Sequence, residues 1–218
     1  MTTPFRHSRL NFGRNLQRSA FALGLVFALT TVSPLPARAQ TYTVLHSFNL
    51  ISTDGARPYA GLTADRAGNL YGTTAAGGPH HAGEVFKMMK LGQSWILNPI
   101  YEFTDGSDGA EPQEEVTFAP DGALYGNNSA GGQFGGGTIF KVQPPARAVG
   151  FALGGWTETS LYQFAFEQNL YGSPLTFDSA GNMYGSTAHW SGNDKGAVYQ
   201  LIRNGHGWNL NVIYQFSG

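Results

Sequence analysis

Short runs of β-branched and aromatic residues recur along the chain between clusters of Gly, Asp, Asn and Pro, a pattern that predicts an all-β protein. Thr41–Phe48 reads as a strand, Asp54-Gly55-Ala56-Arg57-Pro58 as a turn and Gly61–Ala64 as a short second strand. Asp65-Arg66-Ala67-Gly68 reads as a tight hairpin turn, because Asp can bond its own backbone and Gly accepts positive φ. Asn69–Ala75 and Gly83–Met88 are the third and fourth strands, and Trp95–Phe103 restarts the cycle. Polar and apolar positions do not alternate cleanly inside these runs. Val85 and Phe86 are both apolar although neighbours on a strand point to opposite faces, which predicts a sheet covered on both sides.

The cycle is a repeat. Asn69-Leu70-Tyr71-Gly72 returns as Ala123-Leu124-Tyr125-Gly126 and as Asn182-Met183-Tyr184-Gly185, spaced by 54 and then 59 positions. Asp108-Gly109-Ala110-Glu111-Pro112 repeats the first turn, and Gly137-Thr138-Ile139-Phe140-Lys141 repeats Gly83–Lys87. The third cycle loses the Asp-Gly-Ala-x-Pro turn and follows an insertion, Pro144–Gly155, rich in Pro, Ala and Gly. The repeats span 41–94, 95–155 and 156–208, and 209–218 begins a fourth. Four short strands per period predict a β-propeller-like fold of about three four-stranded blades plus one extra strand. A β-solenoid would repeat at a shorter period, and a β-sandwich would not repeat its turns. Closed propellers usually have four to eight blades, so three arrangements compete. The favoured one is a piece of a longer repeat protein; closure with a second copy and an open array with exposed strand edges are the alternatives.

Charge changes the picture at the N-terminus. Arg6, Arg9, Arg14 and Arg18 precede an apolar run, Ala20–Val32, and then Ala37-Arg38-Ala39, the three parts of a secretory signal peptide over residues 1–39. The apolar run is short for a stable membrane span, so no span is expected after cleavage. Removing the leader takes five of the 13 Lys+Arg and none of the 14 Asp+Glu, so the net charge falls from −1 to −6. That argues against nucleic acid as a partner and fits a secreted or cell-surface protein. The chain has no cysteine, which excludes disulfides and thiolate-bound metal.

The linked motifs Gly61–Thr74 and Gly83–Lys87, with the turn Asp54–Pro58, resemble the GloVer tandem repeat of exported bacterial proteins. The likeness covers roughly 41–218. It implies a secreted or surface-displayed repeat protein, often held by one of several C-terminal anchors, and it carries no catalytic residue to this chain. No C-terminal apolar helix or basic tail is present in the sequence, which fits either truncation or release.

Residues identical in every copy suit structure, and residues that differ suit function. Tyr71, Tyr125 and Tyr184 read as packed side chains whose hydroxyls find a backbone partner, rather than as a ligand-stacking ring. The loop after the third strand varies most. If the three loops share one face, His80, His81, Phe134, His189, Trp190 and Asp194 form a rim suited to a sugar or peptide; variable surface loops are the plainer reading. Adjacent His80 and His81 point opposite ways on an extended chain, so no metal site and no cofactor is expected. Glu111, Glu114 and Glu115 read as a solvated loop, and Asp65 and Asp178 as turn formers rather than calcium ligands. No nucleophile elbow, phosphate loop or zinc-protease motif occurs. The sequence therefore points to a binding or scaffold module for a carbohydrate or another surface protein, with self-assembly as a further partner option. The alternatives are an extracellular carbohydrate-active hydrolase or lyase and a pure spacer.

Overall fold

The computed structural model describes residues 41–49, 54–145, 155–168, 171–190, 195–205 and 207–217. The chain divides into two units, 1–43 and 44–218, and every described strand belongs to the second. The signal-peptide reading and most of the Pro144–Gly155 insertion lie outside the described residues.

Among the described residues, twelve strands form three antiparallel four-stranded sheets. The first contains β1 (Thr63–Ala64), β2 (Leu70–Thr74), β3 (Glu84–Leu91) and β4 (Ser94–Glu102). The second contains β5 (Thr117–Phe118), β6 (Leu124–Asn128), β7 (Gly135–Gln143) and β8 (Thr157–Ala165), followed by a 3-10 turn at Phe166–Gln168. The third contains β9 (Thr176–Phe177), β10 (Met183–Thr187), β11 (Ala197–Asn204) and β12 (Gly207–Gln215). Each sheet runs in chain order, so every pairing is a hairpin pairing. This is the blade-like, all-β arrangement expected from the repeat.

The sheets and the sequence cycle are out of phase. Ser94–Glu102, which opens the second cycle in sequence, is the outer strand of the first sheet, and Gly207–Gln215 is the outer strand of the third. The strand expected over Thr41–Phe48 does not form. Its counterparts β4, β8 and β12 form by pairing with the third strand just before them, and no described strand precedes Thr41. A bulge recurs at one place in every sheet, between Val85 and Phe86, Ile139 and Phe140, and Val198 and Tyr199. The extra residue bends the outer strand, and it lets Pro99 sit in β4, an edge position where a missing N–H does little harm.

Two buried clusters join the sheets in series. Tyr71 and Val85 of the first sheet pack with Val116, Leu124, Phe140 and Val142. Tyr125 and Ile139 of the second pack with Leu175, Met183, Tyr199 and Leu201. Both faces of the second sheet are thus covered, which explains its lack of alternation. One aromatic contact recurs at each step. The Phe that ends the outer-strand motif lies on the aromatic of the next third strand, with centroids 5.4 Å apart for Phe48–Phe86, 5.0 Å for Phe103–Phe140 and 5.7 Å for Phe164–Tyr199. That aromatic crosses the glycine of the Tyr-Gly pair. A methyl carbon on Gly72 would lie 2.6 Å from Phe86 and one on Gly126 2.5 Å from Phe140, so only glycine fits.

Candidate functional site

The repeated tyrosines are structural, and their partner is a side chain rather than the backbone. Tyr71 Oη donates to Asp65 Oδ2 at 3.1 Å, and Tyr184 Oη donates to Asp178 Oδ2 at 2.9 Å. Asp65 also accepts from the Ala67 and Asn69 amides and from Asn69 Nδ2, so one carboxylate closes the turn and pins the tyrosine. Burial pushes the Asp65 pKa up, but the hydrogen bonds from Asn69, Tyr71 and Ala67 together bring it below its ordinary value. In the second repeat Ala119 replaces this Asp, and Asp121 takes over, accepting from Tyr125 Oη at 3.0 Å and pairing with Lys141 at 2.8 Å. These carboxylates are therefore engaged as turn formers.

The loops after β2 and β6 fold back on the turn of their own repeat through bridges Ala56↔Ala76 and Ala110↔Ala130, and in the third repeat the end of β10 itself bridges, Gly172↔Thr187. His80 and His81 are exposed, and His81 adopts a left-handed φ of 59°. Phe134 is exposed, whereas His189 is half-buried with its ring 6.2 Å from Tyr171. Trp190 points inward and belongs to the core between the second and third sheets, so its side chain is not offered to a ligand. Asp194 lies outside the described residues. Among the described residues no three His, Asp or Glu side chains converge as a metal would need.

A groove of about 310 Å³ lies elsewhere, between β8 of the second sheet and the β11–β12 hairpin of the third. None of the five described rim residues lines it. Its walls are Thr159, Ser160 and Leu161 on one side and Arg203, Gly205, Gly207 and Trp208 on the other. Arg203 and Trp208 are a cross-strand pair, with the guanidinium 5.8 Å from the indole centroid. Leu161 and Trp208 pack on the core, which fixes the apolar floor, while Arg203 is exposed at the mouth. The Ser160 hydroxyl turns away and donates to the Ser107 carbonyl at 3.1 Å. The sequence signal for this groove was the Asn204-Gly205 turn flanked by Arg203 and Trp208; its counterpart in the first sheet pairs Lys90 with Trp95.

Two carboxyls, Glu84 and Glu158, have pKa values raised by burial. Glu84 takes the place that Thr138 holds in the second repeat, where Thr138 Oγ1 donates to the Asp108 carbonyl at 3.2 Å. Glu84 is fully buried and neither of its oxygens has a hydrogen-bond partner. Burial, then Glu102, then Asp54 push its pKa up to about 8. As a neutral acid it regains a donor, the role Thr138 plays. Half-buried Glu158 is pushed to about 7 by burial and then by Asp108.

The sign of the pH dependence follows. Between the unfolded value of 4.5 and the folded value of about 8, the folded state holds a proton on Glu84 that the unfolded state has released. Stability therefore falls as pH rises through that window and levels off above it. Thermal unfolding of wild type should move to lower temperature between pH 5 and pH 8.5. Glu84→Gln should flatten most of that slope, Glu158 leaving the remainder, and should be the more stable form at pH 8.5. An unchanged slope in Glu84→Gln would mean that Glu84 is ionised in the folded protein.

Among curated proteins, none matches this chain. A family model described as the Gloeobacter/Verrucomicrobia repeat matches residues 11–218, and the protein belongs to that repeat family.

Proposed function

We propose that this repeat protein is exported and works outside the cell as a glycan-binding module. The observation that carries the binding reading is the groove between β8 and the β11–β12 hairpin. An indole supplies a flat apolar face for a sugar ring, while a guanidinium and the Thr159 hydroxyl supply donors that fix orientation. Export is supported by the basic leader, the apolar run and the Ala37-Arg38-Ala39 signal. The other reading, a hydrolase or lyase, needs a pair of carboxyls beside the bound sugar. None of the described residues lining the groove is acidic, although Glu158 directly precedes the lining residues Thr159 and Ser160 on β8.

Affinity electrophoresis through gels holding neutral and uronic polysaccharides tests this reading. Wild type should be retarded by at least one of them. Trp208→Ala should lose at least about 2 kcal/mol, roughly a thirtyfold weakening, as expected for an aromatic anchor. Because Trp208 also packs on the core, exposed Arg203→Ala is the companion variant, expected to weaken binding with unchanged thermal unfolding. Free migration of wild type in every gel would sink the proposal.

A further inference from the structure

The contacts between sheets are built from the same positions twice, and both halves of that joint recur on the outer surfaces of the described array. At the first joint, Thr63 Oγ1 donates to the Val116 carbonyl, and Thr73 Oγ1 donates to the Glu114 carbonyl at 3.1 Å. At the second, Thr117 Oγ1 donates to the Leu175 carbonyl at 2.8 Å, and Asn127 Nδ2 donates to the Ser173 carbonyl at 3.0 Å. The donors occupy one face of the first and second strands of each sheet. The acceptors lie in the approach to the next sheet, around an apolar residue that the joint buries, Val116 at 0% exposed and Leu175 at 2%.

The third sheet repeats the donor face. Thr176 pairs with Tyr184 as Thr63 does with Tyr71, and Ser186 stands where Thr73 and Asn127 stand. Val198 takes the place of Val85 and Ile139, which are fully buried, yet Val198 is half-buried. The first sheet repeats the acceptor side. Leu62 is the counterpart of Val116 and Leu175, and it is 46% exposed. The same apolar position is thus buried at both internal joints and open at the leading surface.

We propose that a second copy of this chain docks head to tail, the Leu62 surface of one copy closing on the Thr176, Ser186 and Val198 face of another. The occupant is a second copy because the internal joints supply the template for both surfaces: hydroxyl donors on one and, at Ala60 and Leu62, the matching backbone carbonyls on the other. Two positions depart from the template. Ala64 stands where Phe118 and Phe177 cover the preceding tyrosines, with centroids 5.1 and 5.0 Å apart, so Tyr184 gains less cover than Tyr71 and Tyr125. Phe48 already lies on Phe86, the seat that an incoming Phe216 would take. Docking therefore exchanges the Val44–Phe48 segment, which pairs with no strand, for the end of β12. A head-to-tail contact of this kind is heterologous, so it builds rings or longer arrays rather than a closed two-fold pair.

Sedimentation velocity of the mature protein across a hundredfold concentration range tests the proposal. Wild type should grow in mass with concentration. Leu62→Asp and Val198→Asp, each checked for wild-type unfolding, should each remain monomeric alone, because each lacks one half of the joint. Mixed in equal amounts they should form a species of twice the monomer mass, since each keeps the half that the other lacks. Phe48→Ala should associate at lower concentration than wild type. Monomer at every wild-type concentration overturns the proposal. So does a dimer abolished by Val198→Asp but untouched by Leu62→Asp, which would mark a two-fold contact between third sheets.

Discussion

Phe103→Ala is expected to destabilise the protein by about 3–5 kcal/mol, while Phe216→Ala, at the same place in the repeat, costs at most about 1 kcal/mol. The two side chains share a sequence context and a local contact. Phe103 meets Tyr101 with centroids 5.1 Å apart, and Phe216 meets Tyr214 at 5.0 Å. What separates them is the next sheet. Phe103 lies on Phe140 and is 1% exposed, so its removal leaves a cavity between two sheets that the rigid strands cannot fill. Phe216 is 45% exposed and has no following sheet among the described residues. Urea unfolding at low protein concentration measures both. Equal losses would mean that stability comes from contacts within each sheet rather than between sheets.

The fold was legible because each sheet repeats one chemical solution. The Tyr-Gly pair, the turn carboxylate and the third-strand aromatic all depend on short-range geometry, and each leaves a mark at fixed spacing. The phase of the sheets was harder to read. A cycle can be cut anywhere in sequence, and only pairing tells that Ser94–Glu102 closes the first sheet. The substitution of Asp121 for the missing turn Asp was hidden for a similar reason, since the carboxylate moved along the chain while its target, the Tyr125 hydroxyl, stayed fixed.

The candidate site was less legible. Variation among the loops after β2, β6 and β10 drew attention to Trp190, but variability does not reveal the direction of a side chain, and Trp190 faces the core. Trp208 and Arg203 sit in a hairpin whose composition is ordinary for a turn. Their value comes from β8 of the neighbouring sheet, which supplies the opposite wall. In sequence Glu84 is one more polar residue at a strand start; its burial follows from the cradle formed by Gly55 and Thr74, close beside it only in the fold.

Equivalent positions differ in this protein because successive sheets cover one another. The chain has no cysteine, so single thiols placed at Leu62, Val116 and Leu175 report that cover directly. Their wild-type side chains are 46%, 0% and 2% exposed. A thiol that must wait for sheets to separate reacts at a rate scaled by the opening equilibrium, and an opening free energy above about 4 kcal/mol slows it roughly a thousandfold or more. At protein concentrations low enough to keep the chain monomeric, Leu62→Cys should react with a thiol reagent almost as fast as an unfolded control. Val116→Cys and Leu175→Cys should lag behind it by at least about a thousandfold. Equal rates at all three positions would contradict the stacked array.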